Sequence, residues 1–181
     1  MIFTTTPLIG SYVIDLKPYA DQRGWFARYY CKNSFTEIGH TKEWVQMNHS
    51  FSYKKGTIRG MHFQVEPYRE IKMVRCIAGS VFDIIIDIRK DSATFLQWFG
   101  VELSADNKRM LYIPEGFAHG FQCLSDDCEL LYHHSEFYQP AAEAGIRQDD
   151  PMIGIQWPLV VSVLSDRDAG HPLLNKDFKG V

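Results

Sequence analysis

His62 is the residue whose neighbours in the sequence most suggest chemistry. It lies in the segment TIRGMHFQ (57–64), with Arg59 three positions before it, Gln64 two positions after it and Lys72 beyond a Glu-Pro turn. An imidazole ordinarily has a pKa of about 6.5, so it can accept a proton near neutral pH. A histidine in this setting can be a metal ligand, a Brønsted base or a structural side chain.

The residue types around His62 disfavour a metal site. His62, followed later by His119 at the end of PEGFAH, resembles the motif order of metal-binding cupin barrels. In those barrels a second histidine stands two residues after the first, where this chain has Gln64, and a neutral amide oxygen is a weak ligand for a divalent metal. His133 and His134 are adjacent and would point to opposite faces of a strand, so at most one could join a site. The sequence therefore predicts no bound metal.

A base at His62 would need two kinds of assistance. A carboxylate must orient the ring, and a cation must stabilise the oxyanion that forms when a proton leaves carbon. Lys72, Arg59 and His119 are candidate cations or hydrogen-bond donors, whereas spacing alone does not select the carboxylate. Taken singly, a histidine is more often structural than catalytic, so the residues alone predict only a β-barrel with a polar, partly cationic pocket.

Short strands are the elements that must position these residues. In VFDIIIDIR, Ile84, Ile86 and Ile88 face one side and Asp83 and Asp87 face the other. Similar strand-like segments, such as IKMVRCI, WFGVEL, LYIP, HGFQCL and ELLYHHSEFY, are separated by turn signals including EPYRE, RKDS and PEG. This pattern predicts a mainly β fold, a jelly-roll barrel or sandwich of the cupin-like kind.

Helical patterning is scarce. The segment KNSFTEIG offers Asn33 or Ser34 as an N-cap and Glu37 at the capping-box position, which predicts one or two short helices at most.

Polar side chains recur along several predicted strands. The face of one strand that carries two aspartates could simply be solvated, but polar residues on other segments favour a ligand pocket lined by several strands. The residues concerned are Arg59, His62, Gln64, Lys72, His119, Gln122, Tyr132 and His134.

Composition indicates one ordinary globular domain. The chain has 181 residues with 45% apolar and 23% charged residues, and it shows no repeat or linker, so we expect a single domain over residues 1–181. A net charge of −3 argues against a sequence-independent nucleic-acid binder. No secretory signal and no membrane span are recognisable, and the four cysteines show no zinc spacing, so we expect reduced thiols and a cytoplasmic location.

Several motifs together resemble the nucleotide-sugar 3,5-epimerase family of the dTDP-4-dehydrorhamnose type. The matching segments keep the family's order over nearly the whole chain: DQRGWF, QMNHSFSYKKGTIRGMHFQ, KMVRCIAGSVFDIIIDIR, PEGFAHGF, LLYHHSEFY, DDPMIGIQWP and LSDRD. The resemblance implies a jelly roll that requires no cofactor and no metal. It also implies epimerisation at C3 and C5 of a nucleotide-linked 4-keto-6-deoxy sugar in deoxysugar biosynthesis.

The same resemblance implies catalytic roles for four residues. His62 matches the base, and Asp168 in LSDRD matches the carboxylate that orients it. Tyr132 matches the acid that returns a proton to the opposite face of the sugar, and Lys72 matches the cation beside the C4 oxygen. These roles fit the chemistry, because a cation in a dry pocket favours an enolate over a ketone.

Substrate binding is implied for nine further residues. Arg59, His119 and Arg167 match positions near the diphosphate, for which the planar guanidinium is well suited. Other matches near the sugar or the base are Gln46, Asn48, Tyr138 and Glu143. Arg23 and Phe26 in DQRGWF match a segment that family members contribute across a dimer interface. The resemblance therefore implies a homodimer in which the N-terminal segment reaches the partner's active site.

Departures from the family pattern leave the substrate open. His133 and His134 stand where many dTDP-rhamnose enzymes have a lysine and a small polar residue, and Glu70 stands where a glutamine is usual. The nucleotide (dTDP, GDP or CDP), a hexose or heptose, and inversion of both carbons or of C3 alone remain alternatives. A 3,4-ketoisomerase and a non-catalytic or metal-binding barrel are the other open functions.

Overall fold

The computed structural model describes residues 1–181 and consists mainly of antiparallel strands with two short helices. The strands are β1 (Ile2–Thr5), β2 (Tyr12–Asp15), β3 (Tyr19–Asp21), β4 (Gly24–Phe26), β5 (Gln46–Ser52), β6 (Ile58–Gln64), β7 (Lys72–Ala78), β8 (Ser80–Asp87), β9 (Trp98–Ser104), β10 (Met110–Ile113), β11 (Phe117–Cys123), β12 (Cys128–His134) and β13 (Glu143–Gly145). The helices are α1 (Lys32–Thr36) and α2 (Asp166–Ala169). Neither helix reaches the length and apolar character of a membrane-spanning helix.

Two sheets face each other. One has six strands in the order β1-β2-β10-β7-β12-β5, and the other has five in the order β13-β6-β11-β8-β9, while β3 and β4 form a separate hairpin. Apolar side chains from both sheets fill the space between them, including Val74 of β7, Ile85 of β8 and Phe121 of β11. The predicted jelly-roll class with short helices is confirmed.

Strand β8 is buried on both faces, which explains its long apolar run. Ile85 points into the space between the sheets, whereas Ile84, Ile86 and Ile88 pack on the outer side against a layer formed by residues after β13, including Ile153. The aspartate face is therefore not a solvated surface: Asp83 and Asp87 have no exposed area.

The capping prediction for the first helix was wrong. Cys31 is the N-cap of α1 and makes no side-chain capping bond, and Glu37 is the C-cap rather than a capping-box residue. Burial of Phe35 in the cluster outside the six-stranded sheet positions this short helix instead. Tertiary packing has replaced the local capping signal here.

Candidate active site

A pocket of about 830 Å³ is lined by residues of both sheets. Its walls come from β5, β7 and β12 on one side and from β6, β11 and β13 on the other, and α2 with its N-cap adds Ser165, Arg167 and Asp168. The volume is within the range of small-molecule sites. Polar side chains dominate the lining, so the pocket suits a polar ligand.

His62 and Asp168 form the central pair of the pocket. His62 Nε2 lies 2.7 Å from Asp168 Oδ1, and the Gly60 amide donates to Asp168 Oδ2 at 3.2 Å. Burial disfavours ionisation of Asp168, but the hydrogen bonds from His62 and Gly60 outweigh it, so the pKa of this carboxyl lies below its ordinary value. An ionised carboxylate only accepts, so Nε2 carries the hydrogen and Nδ1 is left as the proton acceptor.

The short helix α2 delivers Asp168 to this position. Ser165 is its N-cap, and the Ser165 hydroxyl accepts a hydrogen bond from the Asp168 amide at 3.1 Å. Gly60 permits the close approach on the strand side, because its φ is +126° and a Cβ there would lie 2.5 Å from the Gly120 Cα. The helix cap and the glycine together bring a residue 106 positions away in sequence onto His62.

Lys72 enters the pocket from the opposite sheet. Its Nζ lies 2.9 Å from Glu70 Oε1, and the other Glu70 oxygen accepts from His134 Nδ1 at 2.6 Å. Burial opposes ionisation of Glu70, but the bond from His134 and the charge of Lys72 lower the pKa of its carboxyl. The Glu-Pro turn between His62 and Lys72 does not form a hairpin, since β6 and β7 belong to different sheets. Both side chains nevertheless line the same cavity.

Tyr132 also projects from the six-stranded sheet, across the cavity from His62. Its hydroxyl lies 2.9 Å from the Ser50 hydroxyl, and its ring stacks on His134 with centroids 6.2 Å apart. Burial raises the pKa of the Tyr132 hydroxyl far above its ordinary value of about 10, so the group is protonated at neutral pH. A proton donor and a proton acceptor therefore face each other from two sheets.

His119 lies beside His62 in the sheet but forms a different pair. The two histidines are cross-strand partners on β11 and β6, and His119 Nε2 lies 3.0 Å from both oxygens of Asp83. Burial raises the pKa of the Asp83 carboxyl, although the bond from His119 opposes the shift. This pair is sealed, because the His119 side chain is 6% exposed against 29% for His62.

Two arginines supply positive charge at the pocket's exposed parts. Arg59 donates to the Ser52 hydroxyl and the Phe51 carbonyl, each at 3.0 Å. Arg167 contacts Glu143, which also accepts from the Tyr138 hydroxyl at 2.6 Å. Both guanidinium groups are positioned by neighbours before any ligand arrives.

Eleven of the thirteen predicted site residues line this pocket. They are His62, Lys72, Tyr132, Asp168, Gln46, Asn48, Arg59, His119, Tyr138, Glu143 and Arg167. Arg23 and Phe26 do not line the pocket of their own chain. They lie on the exposed β3–β4 hairpin, where Arg23 pairs with Asp21 and Phe26 is 72% exposed.

Sequence reasoning missed three residues that support the site, together with one contact of His134. Ser50 follows Gln46 and Asn48 at every second position of β5, so strand periodicity could have identified it. Glu70 was noted only as a departure from a family pattern, and nothing in the sequence indicated that it bonds to His134, which was among the polar residues expected to line a pocket. His171 lies 3.9 Å from Asp168 and had no distinguishing signal.

Comparison with known proteins agrees with this geometry. A family model described as dTDP-4-dehydrorhamnose 3,5-epimerase matches residues 5–176. The dTDP-4-dehydrorhamnose 3,5-epimerase of Shigella flexneri is 47% identical over 168 residues, which cover 92% of each chain.

Two solved structures are informative. The dTDP-6-deoxy-D-glucose-3,5-epimerase of Legionella pneumophila, in complex with dTDP-4-keto-L-rhamnose, is 41% identical with a TM-score of 0.91, covering 97% of this chain and 94% of the other. A 3'-monoepimerase from Streptomyces bikiniensis, in complex with dTDP-quinovose, is 31% identical with a TM-score of 0.86, covering 93% and 85%. On the family match and these identities, the chain belongs to the dTDP-4-dehydrorhamnose 3,5-epimerase family, whose members are isomerases.

Proposed function

We propose that this protein epimerises C3 and C5 of a dTDP-linked 4-keto-6-deoxy sugar through an enolate, without a cofactor, in deoxysugar biosynthesis. One observation carries the proposal: the His62–Asp168 pair and the Tyr132 hydroxyl face one cavity from opposite sheets, with Lys72 beside them. An inversion at carbon needs a proton removed from one face and another delivered to the opposite face. The pocket has a candidate proton acceptor on one side and a candidate proton donor on the other.

His62 is the base in this mechanism. Its Nδ1 takes the hydrogen next to the C4 ketone, and Asp168 stabilises the imidazolium that results through the 2.7 Å bond to Nε2. The same bond holds the ring in the tautomer that leaves Nδ1 free. Asp168 thus acts on orientation and on charge together.

Lys72 stabilises the negative oxygen at C4. Its ammonium is fixed by Glu70, which also receives His134, so the cation does not need to reorganise during the reaction. Tyr132 then gives its phenolic hydrogen to the other face of the carbon, and the Ser50 hydroxyl holds the Tyr132 oxygen in place. Between turnovers the His62 imidazolium loses its proton to solvent and the Tyr132 phenolate takes one up.

The remaining lining residues bind the substrate. Arg59 and Arg167 supply donors for the diphosphate, whose charge matches the two guanidinium groups, and the His119 ring lies against the substrate as part of the pocket wall. Polar side chains on β5 and after β12 contact the sugar and the base: Gln46, Asn48, Tyr138 and Glu143.

A homodimer completes the site in this proposal. Strand β5 is an edge strand, and Met47, 65% exposed, lies on it beside the pocket. Exposed edge strands and exposed apolar side chains favour pairing with another chain. Arg23 and Phe26 on the exposed β3–β4 hairpin then reach the partner's pocket. The chain functions as one domain over residues 1–181, in the cytoplasm, where nucleotide sugars are made and used.

The 3'-monoepimerase from Streptomyces bikiniensis makes inversion at C3 alone the second candidate function. In this chain, inversion at C3 alone would use the same base and enolate as the double inversion and would differ only in whether the acid also reaches C5. The position of Tyr132 relative to the two carbons decides between the outcomes.

Incubation with dTDP-4-keto-6-deoxyglucose in heavy water tests the proposal. We expect deuterium at both C3 and C5 of the product by NMR, whereas deuterium at C3 alone would select the monoepimerase. GDP- and CDP-linked substrates should react more slowly. Absence of exchange with all three nucleotides would overturn the epimerase assignment, provided that circular dichroism shows folded protein.

A further inference from the structure

A second histidine approaches the catalytic aspartate from behind the pocket. His171 Nε2 lies 3.9 Å from Asp168 Oδ1, while His62 Nε2 lies 2.7 Å from the same oxygen. The His171 ring is not part of the pocket wall, and it meets the His62 ring edge to face with centroids 5.8 Å apart. Three donor atoms thus converge within 4.8 Å of one another.

His171 Nε2 has no hydrogen-bond partner although it is buried. A buried polar atom without a partner is costly, and most such atoms in native proteins are satisfied by protein, water or an ion. Gly145, the cross-strand partner of His62, creates the space for this ring, because a Cβ at Gly145 would overlap the imidazole. The fold therefore keeps an unpaired imidazole nitrogen next to the base and its carboxylate.

The donor set suits a zinc ion. Two imidazole nitrogens and one carboxylate oxygen are a known catalytic zinc ligand set, with bonds of about 2.0–2.2 Å, which places ligand atoms about 3.3 Å apart in a tetrahedron. The two separations to Asp168 Oδ1, 2.7 Å and 3.9 Å, lie on either side of that value, and the third is at most 4.8 Å, so the side chains must shift to bring all three donors onto one ion. The nearby Arg167 is neutralised by its contact with Glu143. Of these three ligands, only His62 belongs to the cupin-like metal motif, so the proposed site is a different one from the cupin metal site.

We propose that His62, Asp168 and His171 bind a zinc ion and that the bound zinc inhibits the enzyme. The inhibition rests on the proposed function, whereas the zinc binding does not. Coordination uses the Nε2 lone pair of His62, so the hydrogen of the neutral ring moves from Nε2 to Nδ1. The atom that must accept a proton from the sugar then carries one. Zinc therefore switches off the base by reversing its tautomer, without entering the sugar subsite.

Metal-stripped protein titrated with Co²⁺, followed by Zn²⁺ displacement, tests the binding. We expect one ion per chain, visible absorption bands of a tetrahedral N,O site, and no competition from Mg²⁺, which prefers oxygen ligands. His171→Asn and the larger His171→Gln should each weaken zinc binding at least about 100-fold, more than loss of an outer-shell partner costs. Equal zinc affinity in wild type and both folded variants would overturn the site.

His49→Asn is the matched control. It removes another imidazole 2.7 Å from a carboxylate, that of Glu129, but this pair has no third donor. Its zinc affinity should equal that of wild type, and an equal loss there would contradict the assignment to His171.

Solvent deuterium exchange measured with and without Zn²⁺ tests the inhibition. Zinc should suppress exchange in wild type, a chelator should restore it, and the His171 variants should resist zinc relative to their own metal-free rates. Zinc bound through His171 without loss of exchange would overturn the inhibition. Zinc bound through His171 in a protein with no metal-free exchange would support the site and contradict the proposed function instead.

Discussion

Two histidine–aspartate pairs lie side by side in this molecule and differ in their surroundings. In one, His62 reaches across from strand β6 to Asp168 on helix α2, and the ring keeps 29% of its side-chain surface exposed. In the other, His119 of β11 bonds to Asp83 of the adjacent strand β8, and both side chains are almost completely enclosed. The carboxyl pKa is lowered in the first pair and raised in the second.

The difference shows that the two residue types alone do not make a histidine–aspartate pair catalytic, because the surroundings of the pair decide its role. Asp168 accepts from a backbone amide as well as from His62, so it stays ionised and can stabilise an imidazolium. Asp83 has only His119 as a strong partner and no contact with solvent, which disfavours its charge. We therefore assign the base to the open pair and a structural and substrate-binding role to the sealed pair.

Replacing each of the two histidines by asparagine should give the largest difference in activity between the two pairs. His62→Asn should lower the rate of deuterium exchange at C3 and C5 by at least about 1,000-fold, because general base catalysis is lost. His119→Asn should lower kcat no more than about 10-fold and act mainly on KM. NMR-monitored exchange at several substrate concentrations measures both, and the reverse order of effects would contradict the assignment.

Replacing each aspartate should affect a different property: kcat for Asp168 and the free energy of unfolding for Asp83. Asp168→Asn should lower kcat about 100- to 1,000-fold, because the amide cannot stabilise the imidazolium. Asp83→Asn should leave kcat within about 10-fold but lower the free energy of unfolding by about 1–3 kcal/mol, as expected for a disturbed buried hydrogen bond. Urea denaturation beside steady-state kinetics provides the test. A large kcat loss in Asp83→Asn with intact stability would remove the distinction.

The contributions of the two aspartates to the free energy of unfolding should also change with pH in opposite directions. The pKa of Asp168 is lowered in the folded state, so its stabilising contribution is present above about 3.9 and is lost as pH falls through the lowered value. The pKa of Asp83 is raised, so its contribution is present below about 3.9 and is lost as pH rises through the raised value.

Unfolding free energies of wild type and each asparagine variant, measured from pH 3 upward, check these slopes. The stability difference between wild type and Asp168→Asn should grow with rising pH, and that between wild type and Asp83→Asn should shrink. Two slopes of the same sign would contradict the assigned ionisation states of the two carboxyl groups.

The smallest effect is expected at Ser165, the N-cap of helix α2, which positions Asp168 against His62. Ser165→Ala removes the side-chain cap of α2 and should cost about 1 kcal/mol of stability together with a modest loss of kcat. Ser165→Thr keeps a hydroxyl and should restore both quantities. The sealed pair does not depend on α2, so His119 should show unchanged NMR chemical shifts in Ser165→Ala; a shift there would link the two regions.

Much of the fold was predictable because strand periodicity survives in a single sequence. The alternation around Ile84 and Ile86 identified the strand, although it did not reveal that residues after β13 cover its outer face. Residues of the site were predictable where a family motif carried them, as for His62 and Tyr132. The cap of α1 at Cys31 was not predictable, because packing of a distant cluster decides it.

The parts of the site that escaped prediction are contacts between residues far apart in sequence. Glu70 and His134 are 64 positions apart and meet only because β7 and β12 are neighbours in one sheet. His171 approaches Asp168 because α2 packs against strand β6, and Gly145 on the neighbouring strand β13 leaves room for the ring. No local pattern encodes such encounters, so they follow from topology.

The direction of proton return tests the central claim most directly. Tyr132→Phe keeps the base but removes the acid on the opposite sheet. In heavy water this variant should release recovered substrate that carries deuterium with its original configuration, because His62 removes and returns the proton on one face. His62→Asn should give neither deuterium nor epimer. Epimer formed by Tyr132→Phe at the wild-type rate would contradict an acid and a base acting from two facing sheets.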